Sequence, residues 1–138
     1  MPIRPDLALA ERSARQLLAV AGNPDAELSL LLTGDDEIQA LNKTWRGKDK
    51  PTDVLSWPQN DPLILGDVVI SLDTAQGQAR ARGWTLEEET ALLLVHGILH
   101  LLGHEDDTES GSNEMKRIER EILGKPLDNI PVERGVLL

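Results

Sequence analysis

The chain has 138 residues and a formal net charge of −10; it is 40% hydrophobic and 28% charged, and it contains three Trp but no Phe, Tyr or Cys. This length suits one domain, residues 1–138, with a sizeable core, and without Cys any bound metal must rest on His and carboxylate. The acidity excludes a protein that coats nucleic acid non-specifically, because such binding is driven by Lys and Arg against phosphate.

The first twenty residues carry charges through their apolar positions and read as neither a signal peptide nor a membrane span, so a cytoplasmic setting without a membrane partner is expected. From about Asp6 to Val20, Leu7, Ala10, Ala14, Leu17 and Leu18 recur at helical spacing, and Gly22 with Pro24 closes the segment. Glu27–Thr33 reads as a strand. Asp35–Trp45 reads as a helix, capped by Thr33 or Asp35, with Ile38 and Leu41 on one side. Arg46–Pro51 is a loop, Val54–Trp57 a short strand stopped by Pro58, and Gln59–Pro62 a turn. Leu63–Leu72 is a buried strand in which Gly66 marks a bulge or a close approach. Asp73–Arg82 is a helix weakened by Gly77. Thr85 and Glu88 form a capping box that starts an all-round apolar helix, which belongs in the core. The final helix runs from about Thr108 to Leu123, with Met115, Ile118 and Ile122 inward and Gly124 and Pro126 as its stop. The tail from Leu127 is expected to be extended. Helices and a few strands without regular alternation imply an α+β fold.

The apolar helix holds the chemistry. His96, His100 and His104, all the histidines of the chain, lie within HGILHLLGHEDD. Residues i and i+4 share a helix face, so His96 and His100 can hold one metal ion. The spacing H-x-x-x-H-x-x-G-x-x-D matches the metal-binding stretch of the metzincins with Asp in the third slot. Asp106 is the favoured third ligand and His104 the alternative; Glu105 and Asp107 are further carboxylates in reach. Three protein ligands leave an open position for water. Peptidases of the H-E-x-x-H type place their general base where this chain has Gly97, which argues against peptide hydrolysis by that route. Gly97 in mid-helix also implies either a close neighbour or an uncrowded site. A second group, Lys43, Arg46, Lys48 and Lys50 against Asp49 alone, gives a local charge of +3. Arg46 offers a planar fork suited to phosphate oxygens.

RGKDKPTDVLSWP, LGDVVIS and HGILHLLGHEDD, in that order, resemble the three signature stretches of the YbeY family, the bacterial endoribonucleases and rRNA maturation factors. The resemblance runs from about Leu28 to Leu123. It implies an α+β fold with a small mixed sheet of about four strands packed with helices, and a metal site on a buried helix. It also implies a single-strand-specific, metal-dependent endoribonuclease that acts in 3′-end maturation of small-subunit (16S) rRNA and in ribosome quality control. The implied cofactor is one divalent metal ion, zinc. The implied partners are single-stranded RNA, rRNA, the small ribosomal subunit with its proteins, and a ribosome-assembly GTPase. By the same resemblance His96 and His100 are metal ligands and Arg46 is the catalytic arginine; Lys48 and Lys50 are expected to help hold the RNA backbone. The family's third ligand is usually His, in a stretch ending G-x-D-H; here Asp106 fills that slot and His104 the x position. Trp57 stands where Phe is common and is assigned to core packing rather than base stacking. Two rival functions are a non-catalytic ribosome-assembly factor with a structural metal, and a metal-dependent hydrolase of another class such as a peptidase.

Overall fold

The first helix, α1 (Ala8–Val20), buries Ala10, Ser13, Ala14, Leu17 and Leu18, the residues of one helical stripe. The computed structural model describes residues 4–59, 61, 63–127 and 136–137. Strand β1 (Glu27–Thr33) follows, then α2 (Asp35–Arg46), β2 (Val54–Pro58), β3 (Ile64–Ser71), α3 (Leu72–Arg82), α4 (Leu86–Leu101), α5 (Glu109–Leu123) and a two-residue β4 (Val136–Leu137). The turn expected at Gln59–Pro62 falls partly outside the described residues, and the tail from Leu127 mostly so.

Strand β3 is central. It pairs in parallel with β1 and antiparallel with β2, so the sheet is mixed. The short β4 lies parallel to β2, opposite Leu55 and Ser56. A register shift between Glu27 and Leu28 places Gly66 opposite Leu28, the irregularity expected at that glycine.

Strand alternation divides the apolar residues between two faces. Val54, Val68 and Ile70 join the main core with α1, α4 and Met115 of α5. Leu55 and Val69 point the other way and pack with Ile38, Leu41 and Trp57, so α2 covers the opposite face. Trp57 therefore takes the packing role assigned to it. Helix α4 is the spine of the larger core: Leu92, Leu93, Val95, Ile98 and Leu99 are fully buried. Each such side chain stabilises the fold by about 1.5–3 kcal/mol. The Thr85–Glu88 capping box is present at its start. A buried ion pair, Arg82 Nε to Glu89 Oε1 at 2.8 Å, ties α3 to α4.

The start of α2 differs from expectation. Its N-cap is Gly34, without a side-chain cap of its own. Thr33 instead donates its hydroxyl to Glu37, and the Asp35 amide is taken by the Asp73 carboxylate at 3.0 Å. A carboxylate from the first turn of α3 thus does the capping, a partner that local sequence cannot reveal.

Candidate metal centre

The i, i+4 relation puts the rings of His96 and His100 on one face of the last turns of α4, at a centroid separation of 4.7 Å. Both residues are almost wholly buried. The helix ends at Leu101, and Gly103 turns the chain with φ near +100°. Two backbone bonds close this turn, Gly103 N–H to the His100 carbonyl and His104 N–H to the Leu99 carbonyl. The loop then runs to Thr108, whose hydroxyl caps α5. Asp106 lies in that loop, half-buried and facing the two rings.

His96 Nε2 is 3.6 Å and His100 Nε2 3.7 Å from Asp106 Oδ2, and the two Nε2 atoms are 3.2 Å apart. For metal–ligand bonds of about 2.0–2.1 Å, the edges of a tetrahedron are roughly 3.3–3.4 Å. The three atoms therefore form nearly one face of such a tetrahedron.

The outer nitrogens fix the rings. His100 Nδ1 lies 3.1 Å from the His104 carbonyl. A carbonyl only accepts, so Nδ1 carries the proton. His96 Nδ1 lies 2.8 Å from Glu119 Oε1, a buried carboxylate on α5, and donates to it. In the neutral rings both Nε2 atoms then present lone pairs, and they converge with a carboxylate oxygen. Three acceptors this close repel one another unless a cation or proton lies between them. His96, His100 and Asp106 thus fit a divalent metal ion by both distance and charge.

The fold reached here is also found elsewhere. The solution structure of TM1509 from Thermotoga maritima matches with a TM-score of 0.59 and 29% identity, over 84% of this chain and 82% of that one. A relative from Aquifex aeolicus named Endoribonuclease YbeY is 51% identical over 122 residues, 83% of this chain and 80% of its own. One of the same name from Thermus thermophilus is 43% identical over 129 residues, 87% of this chain and 93% of its own. The Myxococcus xanthus protein of that name is longer; the match, at 49% identity, spans 40% of it. The family model described as Endoribonuclease YbeY matches residues 7–126. The chain belongs to the YbeY family.

Within this YbeY fold the residues singled out from sequence fall into two groups. His96, His100 and Asp106 come together. His104 does not join them: the turn at Gly103 sends its side chain to a groove between α1 and α5, lined also by Leu17, Val20, Arg117 and Ile118. Its carbonyl, not its ring, serves the site. Arg46 ends α2 on the opposite face of the sheet, half-buried, with Nη1 donating to Asn42 Oδ1 at 3.2 Å. Lys48 and Lys50 are exposed in the loop that follows. A small cavity of about 40 Å³ beside His96 is lined, among the described residues, by Asp106, Ser112, Met115, Lys116 and Glu119 and not by the basic loop. The two groups nevertheless share one end of β2. Trp45, next to Arg46, packs against Trp57, and Ser56, next to Trp57, donates its hydroxyl to the Gly97 carbonyl at 3.3 Å.

Of the two readings of Gly97, the structure has the close neighbour. A Cβ there would lie 3.0 Å from Ser56 Oγ and from Val68 Cγ1. Position 97 therefore faces the sheet, and a peptidase-type glutamate could not be housed there without moving β2 or β3.

Two residues escaped the sequence reading. Glu119 is one; it lies four residues after Met115, on the inward stripe of α5. An acid in that stripe was a visible signal. Asn42 is the other. It is fully buried, accepts from Arg46, and donates to the Lys50 carbonyl at 2.8 Å. Its place four residues before Arg46 was the available clue.

Proposed function

We propose that this chain is a metal-dependent, single-strand-specific endoribonuclease that trims the 3′ end of small-subunit rRNA and takes part in ribosome quality control. Family membership supports RNA cleavage. The observation that carries the metal is the convergence of two imidazole lone pairs and a carboxylate at 3.2–3.7 Å. His96, His100 and Asp106 hold the ion, zinc by the donor set. When bound, it supplies a Lewis acid and lowers the pKa of water.

The protein's own groups do the rest. Glu119 and the His104 carbonyl keep both Nδ1 atoms protonated and both Nε2 atoms facing inward. Asp106 adds a negative charge that a third His would not. Asn42 sets the Arg46 guanidinium, which binds a phosphate of the RNA and offsets its charge. Lys48 and Lys50 hold the flanking backbone. The net charge of −10 keeps intrinsic RNA affinity low, so the small subunit, its proteins or an assembly GTPase delivers the substrate. No helix among the described residues is long and apolar enough to cross a membrane.

The test is cleavage of an rRNA fragment with a single-stranded 3′ tail by the native chain, the chelator-stripped chain and Arg46→Ala. Metal-dependent cleavage lost in Arg46→Ala supports the reading. Equal cleavage by native and Arg46→Ala chains refutes the role of Arg46.

A further inference from the structure

The aromatic residues of this chain are three tryptophans, and one of them, Trp45, is 60% exposed. It stands on the last turn of α2, directly before Arg46. The half-buried Trp57 meets it edge-to-face, with centroids 6.3 Å apart and planes at 80°. This contact orients Trp45 while leaving ring surface open to solvent. Both rings line a groove of about 520 Å³ on the sheet face that α2 only partly covers, with Leu31, Leu41 and Pro58 beside them. Leu31 is itself 45% exposed.

From these features we infer that Trp45, held edge-on by the packed Trp57, forms a stacking subsite for one unpaired nucleobase of a single-stranded RNA; the inference rests on the nuclease reading and adds a substrate contact to it. Three observations select this occupant. The ring is followed at once by Arg46, with Lys48 and Lys50 in the loop after it, so phosphates have cations beside the platform. An open aromatic face next to a basic track is the chemistry that holds single strands. Inside the groove the charged lining is acidic, Glu37 and Asp67, which admits a neutral base and turns a phosphate away. The platform also lies where a strand could pass to the metal site. The short β4 pairs with Leu55 and Ser56; among the described residues no strand pairs with Trp57 and Pro58 on that side. Leu101, one residue from His100, approaches Gly66, which pairs with Pro58.

The test uses the metal-loaded full chain and a 2′-O-methyl hexauridylate whose integrity is checked after each titration, with the abasic hexamer as its control, at one fixed salt concentration. Trp45→Ala is expected to weaken hexauridylate binding roughly 5- to 150-fold, the range for loss of one stacked base. Trp45→Phe is expected to restore most of it, and abasic binding is expected to be unchanged. Loss of the edge-to-face contact lowers the melting temperature of Trp45→Ala by a few degrees at most, and Trp45→Phe keeps it near native. Equal loss for both oligomers, or no loss for either, overturns the inference; so does a dimer that Trp45→Ala dissociates, because the groove would then hold a second copy. Trp45-dependent binding by a chain that does not cleave rRNA would sink the nuclease reading and leave the subsite standing.

Discussion

Glu119→Gln separates metal positioning from folding. Glu119 is 1% exposed. One of its oxygens accepts from His96 at 2.8 Å, and the other has no hydrogen-bond partner among the described residues. Glutamine keeps the volume and one acceptor but removes the charge. A hydrogen bond to a charged group contributes about 1.5–3 kcal/mol and a neutral one about 0.5–1.5 kcal/mol. The metal-bound state therefore loses about 1–1.5 kcal/mol, close to tenfold in affinity. This falls at the lower end of the roughly 10- to 100-fold effect of such outer partners. Glu119→Ala, which removes this carboxylate acceptor from the buried His96 Nδ1–H, falls nearer the upper end. The metal-free protein responds differently. There the carboxylate is a buried charge without a bound cation, so Glu119→Gln leaves its melting temperature unchanged or raises it. The assay is competition titration of Zn²⁺ and Co²⁺ against a chelator, with thermal melts of the stripped protein. Unchanged metal affinity, or a melting temperature that falls equally with and without metal, would refute the positioning role.

Asn42→Ala removes the bonds that Asn42 makes to Arg46 and to the Lys50 carbonyl. It should cost about 1–3 kcal/mol of stability in denaturant unfolding and lower kcat, while metal affinity in the same titration stays within twofold of native. Gly97→Ala places a methyl 3.0 Å from Ser56 Oγ and Val68 Cγ1. Overpacking of about 1–3 kcal/mol outweighs the gain of roughly 1 kcal/mol in helix propensity, so the melting temperature should fall by a few degrees; a rise would mean that β2 and β3 yield freely. The Lys125 ammonium beside Glu88, with the Thr85 amide, holds the Glu88 carboxyl below its ordinary value of 4.5. A depressed carboxylate stabilises the fold above the unfolded pKa and loses that contribution as pH falls through the folded one. Glu88→Gln should therefore lower stability at pH 7, by under about 1 kcal/mol for so accessible a pair. The gap should begin to narrow as pH falls below about 4.5 and close once pH is below the lowered folded value. A gap that persists into acid would place its origin in the helix cap instead.

The sequence by itself determined the elements and the heart of the site. Helical stripes in α1 and α5, the Thr85 cap, the short apolar strands and the His96–His100 pair are all local patterns, set by side-chain spacing within a few residues. The choice between Asp106 and His104 was narrower. Chain spacing favoured Asp106, but the decision lay in the turn at Gly103, whose backbone sends the His104 ring toward α1 and leaves its carbonyl with His100. The remaining decisions belonged to tertiary structure, because each joins segments far apart in the chain. Strand order placed β3 between β1 and β2. Asp73 capped a helix 38 residues before it, and Glu119 reached back 23 residues to His96. The sheet also set Arg46 and the histidines on opposite faces at one end of β2. Pattern records which face of an element is apolar. It does not record which distant element that face will meet, and here that meeting is what fixes ring orientation, charge and the path to the site.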